Sequence, residues 1–152
     1  MTDIVGRIAS PASMLVASTA TAIAYRRRPD EAARFAISVP FGLLVSTVIK
    51  RLVRKHRPRL FDSKPQESFP SSHSVATASY VLSLVAAKRS WWSVPLAVAA
   101  IAGVNASRVR AREHWPDDVI VGDLIGIAGA AAGAAAALGV MRLANSRRPS
   151  RP

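Results

Sequence analysis

Five apolar runs alternate with polar or basic segments along the chain. They cover approximately residues 11–25, 32–49, 71–87, 91–106 and 119–141. No run keeps the alternation of apolar and polar residues that marks a half-buried strand, so the pattern predicts an all-α protein. The fifth run is long enough to cross a bilayer, for which about 20 residues are needed, and the second run is close to that length.

The fifth run also has the composition of a membrane helix. It is rich in Gly and Ala, and Gly129 and Gly133 stand four residues apart, a spacing that lets membrane helices approach closely. We therefore predict an integral membrane helical bundle of about five helices. The alternative is a soluble helical bundle, because the shorter runs also have lengths that suit buried core helices.

The length of the chain, 152 residues, suits a single domain. We assign residues 1–141 to one membrane-embedded domain. Residues 142–152 are basic and contain proline, which predicts a disordered tail. The first run loosely resembles a signal peptide, but three arginines follow the position where cleavage would occur, so we favour an uncleaved first helix.

Charge narrows the class of protein further. Half of the residues are hydrophobic, yet Lys and Arg number 21 against nine Asp and Glu, for a formal net charge of +12. This combination indicates a membrane protein with basic loops or a binder of polyanions. The chain has no cysteine, which excludes disulfide bonds and thiolate metal sites, and its three histidines are His56, His73 and His114.

Three polar segments contain most of the chemically useful residues, namely 50–58, 68–74 and 107–118. If successive helices cross the bilayer in alternate directions, the second and fourth runs end, and the third and fifth begin, on the same side. The three segments are therefore predicted to meet at one end of a four-helix catalytic core, although they are far apart in sequence.

Cations and a helix start in these segments suit a bound phosphate. Lys50, Arg57 and Arg108 supply donors, and the planar fork of a guanidinium matches phosphate oxygens. Ser71 and Ser72 stand where the third predicted helix begins, and free backbone N–H groups and the helix dipole favour an anion there. We predict that these five residues bind phosphate.

Two histidines suit two catalytic roles beside that phosphate. Asp118 follows His114 by four residues, so its carboxylate can reach one ring nitrogen, fix the tautomer and make the other nitrogen a better nucleophile. His73, at the helix start, is placed to donate a proton to the leaving oxygen. We predict that His114, His73 and Asp118 are catalytic, and we expect no metal ion or other cofactor.

The three segments together resemble the type 2 phosphatidic acid phosphatase superfamily, which also includes bacterial undecaprenyl pyrophosphate phosphatases, class A acid phosphatases and vanadium haloperoxidases. The residues that match its motifs are Lys50, Arg57, Pro58, Pro70, Ser71, His73, Ser107, Arg108, His114 and Asp118. The resemblance covers about residues 33–130. It implies a metal-independent phosphatase that works through a phosphohistidine.

The chain departs from the family pattern at two points. Ser72 stands where the second motif of the family has glycine, which keeps the backbone N–H but adds a side chain to the site. Membrane members of the family commonly have six spans, whereas this chain has room for five at most. Substrate entry and oligomeric state are therefore left open.

We expect a lipid phosphate or diphosphate phosphatase whose partners are its lipid phosphate substrate and a membrane, with no nucleic acid. Two alternatives stay open on the sequence. One is a lipid phosphotransferase that passes the phosphoryl group from His114 to an acceptor other than water. The other is a non-catalytic membrane protein that only binds anionic lipid.

The other basic residues near the motifs allow two interpretations. They could face anionic lipids or, for a diphosphate substrate, form a second phosphate subsite; they are Arg51, Arg54, Lys55, Arg59, Lys64, Arg110 and Arg112. We assign no catalytic role to His56, and we expect Asp123 to lie at headgroup depth or to pair with a loop cation. The side of the membrane that holds the three motif segments has eight Lys and Arg when Lys50, Arg57 and Arg108 are left out, and the other side has ten. Because the more basic side usually faces the cytoplasm, the count favours a site on the outer face of the plasma membrane.

Overall fold

The computed structural model describes residues 4–58 and 66–147, and within these ranges it contains six α-helices and no named strand. The helices are α1 (Ile4–Ile8), α2 (Pro11–Ala24), α3 (Pro29–Val53), α4 (Ser72–Lys88), α5 (Ser93–Arg110) and α6 (Pro116–Ser146). The prediction of an all-α bundle is confirmed, and the five predicted runs correspond to α2–α6. Helix α1 was not predicted, because its five residues are too few to show a helical period.

Local signals account for where the long helices begin and end. Helices α2, α3 and α6 each have a proline within their first two positions. Backbone N–H groups at these positions have no acceptor within the helix, so the helix loses no hydrogen bond when proline lacks one. Ser71 caps α4, since its Oγ accepts a hydrogen bond from the N–H of Ser74 at 3.4 Å. Helix α6 continues to Ser146, so residues 142–146, which we expected in the disordered tail, are helical.

Helix α6 packs mainly against α3 and α4, and its glycines permit the close approach. A Cβ built on Gly129 would lie 2.5 Å from Ser79 Oγ, and one on Gly133 would lie 2.5 Å from the carbonyl oxygen of Arg34. Larger residues at either position would push the helices apart. The predicted small-residue contact on α6 is therefore present, and it joins the helix to both α3 and α4.

The bundle buries small polar residues and exposes large apolar ones. Ser38, Ser46 and Ser79 are fully buried, whereas Leu96 is 72% exposed and Leu44 64% exposed. This distribution does not suit a soluble bundle, but it suits a bilayer, which solvates the outward leucines. In the described chain, α3 and α6 are long and apolar enough to cross a membrane, and α2 is a shorter apolar helix.

The loop between α3 and α4 is closed at its base by backbone hydrogen bonds. The N–H of Arg57 donates to the carbonyl of Gln66 at 3.1 Å, and the N–H of Ser68 donates to the carbonyl of Lys55 at 2.7 Å. This pairing holds Lys55 and Arg57 over the starts of α4 and α6. Arg59 and Lys64, which we considered as basic surface residues, lie outside the described residues.

Candidate active site

A cavity of about 220 Å³ lies at the end of the bundle where the three polar segments meet. Its described wall contains Lys50 from α3, Arg57 and Glu67 from the following loop, Ser72 and His73 from the first turn of α4, His114 before α6, and Pro11 at the start of α2. The structure therefore brings together Lys50, Arg57, Ser72, His73 and His114, as the alternation of the helices predicted.

His114 lies between α5 and α6 with its two ring nitrogens in different surroundings. Nδ1 is 3.4 Å from Asp118 Oδ2, which is within ion-pair range but longer than an ordinary hydrogen bond. Nε2 is 3.5 Å from Arg57 Nη1. The ring thus turns one nitrogen to a carboxylate and the other to a cation in the cavity wall.

Asp118 is fully buried behind His114, and two hydrogen-bond donors and a helix start hold its carboxylate. Oδ2 accepts a hydrogen bond from the N–H of Trp115 at 2.9 Å, and Oδ1 accepts one from Lys55 Nζ at 2.9 Å. Its place in the first turn of α6 adds the favourable end of the helix dipole. These contacts keep Asp118 ionised and oriented towards His114.

Lys55, which we considered as a lipid-facing or phosphate-subsite cation, instead pairs with two carboxylates, and its contact with Asp118 was not predicted. Its Nζ lies 2.6 Å from Asp117 Oδ2 and 2.9 Å from Asp118 Oδ1, and within 6 Å of the ring centres of Phe69 and Trp115. Burial works against its charge, but the hydrogen bonds to the two carboxylates raise the pKa of Lys55 above its usual value. Lys55 and Asp118 are far apart in the sequence, so no local pattern could have predicted their contact.

The surroundings of His114 keep its ring neutral. Burial lowers the pKa of His114 to about 4, and the positive charges of Arg57 and Lys50 lower it in the same direction, while Asp118 opposes them. A ring that is neutral at physiological pH has a free electron pair on one nitrogen. Nε2, which points to Arg57, is therefore suited to attack an electrophile held by that cation.

Backbone carbonyls hold the two cations of the cavity in place. Lys50 Nζ donates to the carbonyl of Pro70 at 2.6 Å and to that of Ser68 at 3.3 Å, and Arg57 Nη1 donates to the carbonyl of Glu113 at 2.8 Å. Ser72 Oγ lies 3.3 Å from Ser46 Oγ. These contacts thus hold the two cations and the Ser72 hydroxyl at the cavity.

Ser71 and Arg108 lie beside the cavity, and its described wall does not include them. The Oγ of Ser71 caps α4, and its backbone N–H donates to the carbonyl of Asp118 at 3.0 Å, which joins α4 to α6. Arg108 is buried, donates from Nη1 to Glu113 Oε2 at 3.2 Å, and packs its guanidinium against Gly6 of α1. Their predicted phosphate contacts stay predictions.

Among the described residues, Asp123 is held by an amide and not by a loop cation. Its Oδ2 accepts a hydrogen bond from Asn105 Nδ2 at 2.6 Å, and Asn105 Oδ1 accepts one from Ser74 Oγ at 2.7 Å. These two hydrogen bonds connect α4, α5 and α6. His56, to which we assigned no catalytic role, contributes its backbone carbonyl to Trp115 Nε1 at 3.0 Å.

Comparison with known proteins identifies one family and two kinds of relative. The model of the PAP2 superfamily matches residues 31–146. Decaprenylphosphoryl-5-phosphoribose phosphatase of Mycobacterium tuberculosis is 34% identical over 88 residues, which are 54% of this chain and 48% of that protein. Undecaprenyl-diphosphatase of Sulfolobus acidocaldarius is 28% identical over 117 residues, which are 71% of this chain and 56% of that protein.

The chain spans about half the length of the curated relatives it matches. No solved structure matches it. The matched range of the family model, residues 31–146, contains the whole of the cavity described above except Pro11.

Proposed function

The chain belongs to the PAP2 superfamily, and on that premise we propose that it is a metal-independent phosphatase of lipid phosphates or diphosphates. The observation that carries the proposal is the position of His114, whose Nδ1 faces Asp118 and whose Nε2 faces Arg57 in a cavity with further cations. A neutral nucleophile, a carboxylate behind it and cations in front of it are the parts that a phosphoryl transfer requires.

In the first step, the terminal phosphate of the substrate occupies the cavity against Lys50 and Arg57. His114 Nε2 attacks phosphorus, so that an N–P bond forms and the bond from phosphorus to the leaving oxygen breaks. His73 donates a proton to that oxygen. The ring of His114 becomes positively charged as the N–P bond forms, and the carboxylate of Asp118 at Nδ1 stabilises that charge.

In the second step, a water molecule attacks the phosphohistidine. His73, which has lost its proton, accepts one from the water as the new P–O bond forms. The N–P bond breaks, its electrons return to Nε2, and inorganic phosphate leaves. His114 is again neutral, the state that burial and the neighbouring cations favour.

A second observation supports a lipid as the substrate. An apolar cavity of about 400 Å³ is lined in part by Met14, Thr77 and Val104. Met14 and Thr77 stand one helical turn from Pro11 and His73, which line the catalytic cavity, so the two cavities lie close together along α2 and α4. The names of both relatives describe polyprenyl substrates, and we infer that a polyprenyl chain accompanies the phosphate here.

We also infer the location of the enzyme from these features. The exposed apolar side chains and the two helices that are long enough to cross a bilayer support a multi-pass membrane protein. The balance of basic residues supports an active site on the outer face of the plasma membrane. Cysteine substitution of Lys88 at the opposite end, followed by labelling of intact cells with an impermeant reagent, tests the orientation; labelling from outside would contradict it.

The test of the function is phosphate release by the purified chain in nonionic detergent. We expect hydrolysis of a polyprenyl diphosphate or monophosphate, retained in EDTA and lost in His114→Ala by several orders of magnitude in kcat. Loss of activity in EDTA that Mg²⁺ restores would contradict metal independence. Transfer of labelled phosphate to an acceptor without release would instead indicate the phosphotransferase, and lipid binding without either reaction the non-catalytic alternative.

A further inference from the structure

A second cavity opens beside the catalytic one, and we propose that it binds the non-reacting phosphate of a substrate that carries two. It has a volume of about 620 Å³ and is lined by Thr47, Lys50, Arg51, Arg54 and Glu67. The inference rests on the proposed function, because it concerns the same substrate. It narrows the preferred substrate to lipids whose phosphate groups lie close together, such as a polyprenyl diphosphate.

The two cavities are adjacent, since Lys50 and Glu67 line both of them. Hydrogen bonds to the carbonyls of Pro70 and Ser68 hold Lys50 Nζ at this boundary. The phosphorus atoms of a diphosphate are joined through one oxygen. A diphosphate with its terminal phosphate near His114 would therefore extend its second phosphate past Lys50 into the larger cavity.

One face of α3 and the residue that caps its end supply the cations of the second cavity. Thr47, Lys50 and Arg51 stand at intervals of three and one residues, which places them on the same side of the last two turns of α3. Arg54 follows the last helical residue, Val53, caps the helix in the left-handed conformation and lines the same cavity. Within residues 4–58 and 66–147, no carboxylate forms an ion pair with Arg51 or Arg54. Their guanidinium groups are thus available for bidentate hydrogen bonds to phosphate oxygens, a geometry that arginine favours.

Glu67 gives the subsite a group of opposite sign. With three cations and one carboxylate, the lining keeps a net positive charge that suits a phosphate. The carboxylate also repels that phosphate. Loss of the Arg51 or Arg54 charge and loss of the Glu67 charge should therefore change diphosphate binding in opposite directions, which a purely structural role of these residues would not produce.

A surface for anionic lipid headgroups is the other interpretation of Arg51 and Arg54. The cavity favours the subsite, because both arginines line a concavity that shares Lys50 and Glu67 with the catalytic one. Arg110 provides the matched control. It is an exposed arginine in the last turn of α5, at the same end of the bundle, and it is not part of any described cavity wall. A headgroup surface would use Arg110 as it uses the other two.

The kinetic experiment compares a polyprenyl diphosphate with the monophosphate of the same chain in nonionic detergent. For Arg51→Gln and Arg54→Gln we expect kcat/KM for the diphosphate to fall at least about tenfold, the loss of one charge-assisted hydrogen bond. The monophosphate should change less than about threefold in each variant. Arg110→Gln should change neither substrate, and Glu67→Gln should raise the ratio of diphosphate to monophosphate activity.

A binding experiment tests the subsite without turnover. Methylenediphosphonate and inorganic phosphate are titrated into wild type and the four variants by calorimetry. We expect Arg51→Gln and Arg54→Gln to weaken the diphosphonate and to leave inorganic phosphate, which needs only the catalytic cavity, unchanged. These free anions have no lipid surface, so a selective loss here identifies the subsite.

The outcomes separate the subsite from the proposed function. If wild type hydrolyses both lipids and the two arginine variants lose activity on both equally, the subsite is overturned and the phosphatase stands. Losses no larger than those of Arg110→Gln overturn the subsite in favour of a headgroup surface. If wild type hydrolyses neither lipid, the proposed function fails, and the calorimetry alone decides whether the second cavity binds a phosphate.

Discussion

Lys55 Nζ and Asp118 Oδ1 are 2.9 Å apart, and this ion pair joins the loop after α3 to the carboxylate behind His114. Asp118 has a neighbour on each side, Lys55 at one oxygen and His114 at the other. Because Lys55 neutralises part of the carboxylate's charge, Asp118 attracts a proton to His114 less strongly. We therefore expect Lys55 to influence His114, the proposed nucleophile, through Asp118 and without touching the substrate.

Replacement of this lysine tests its positioning role. We expect Lys55→Met to lower kcat by about tenfold or more with little change in KM, because Asp118 loses one of the two hydrogen-bond donors that orient its carboxylate towards His114. It should also raise the pKa of His114, so that the acid limb of the pH–rate profile moves to higher pH. Lys55→Arg should restore much of the kcat and of the original pKa of His114. The matched control is Lys88→Met, at the end of α4 that lies away from the site. An unchanged acid limb in Lys55→Met would contradict the role.

The protonation of His114 in the wild type gives a second prediction. Burial and two cations lower the pKa of His114 to about 4 from an ordinary value of 6.5, so the ring should stay neutral until the pH falls to that range. The folded state then binds fewer protons than the unfolded state between these values, and its stability should decrease as the pH falls through them. Titration of isotope-labelled histidine by NMR, with His114→Gln to assign the resonance, measures the midpoint; one near 6.5 would exclude a neutralising environment.

The leaving group decides how much His73 matters. An alkoxide leaves poorly and needs a proton, whereas a nitrophenolate needs it much less, and general acid catalysis typically contributes about 10² to 10⁴ in rate. His73→Ala should therefore abolish most hydrolysis of an alkyl phosphate and spare much of that of nitrophenyl phosphate. His114→Ala should lose both alike. Equal losses on the two substrates in His73→Ala would show that His73 binds phosphate and does not act as the acid.

The glycines of α6 give a prediction about stability. A Cβ on Gly129 would lie 2.5 Å from Ser79 Oγ and 2.7 Å from the carbonyl oxygen of Ser38, so Gly129→Val should destabilise the bundle by about 1–3 kcal/mol. The matched control is Gly139→Val in the same helix, because no described atom lies within 4 Å of a Cβ built there. Thermal unfolding in detergent should show a lower midpoint for the first variant only. Equal midpoints would mean that a larger side chain at residue 129 does not weaken the packing of α6 against α3 and α4.

The order of helices and the meeting of the motifs could be predicted because both follow from local patterns. Apolar runs of sufficient length give α2–α6, and alternate crossing of a bilayer places Lys50, His73 and His114 at one end. The contact of His114 with Asp118 follows similarly, since four residues and an intervening helix start bring the two side chains together. In each case a short sequence separation or a helical period carries the information.

Only the tertiary structure decided which side chains face one another across the loops. Ser71 and Ser72 are neighbours in sequence, yet Ser71 turns inward to cap α4 and Ser72 lines the cavity. Lys55 meets Asp118 because the base of the loop is paired backbone to backbone, and the sequence carries no local mark of that pairing.

The sequence also could not predict the hydrogen-bond partner of Asp123 or the cavity beside Lys50. Asp123 lies opposite Asn105 on α5, and the second cavity forms where one face of α3 meets the loop at Glu67. A helical period tells which residues share a face, but the facing residues depend on how each helix is rotated and how each loop runs. Those depend on packing between elements that are distant in sequence, such as the glycine contacts of α6 with α3 and α4.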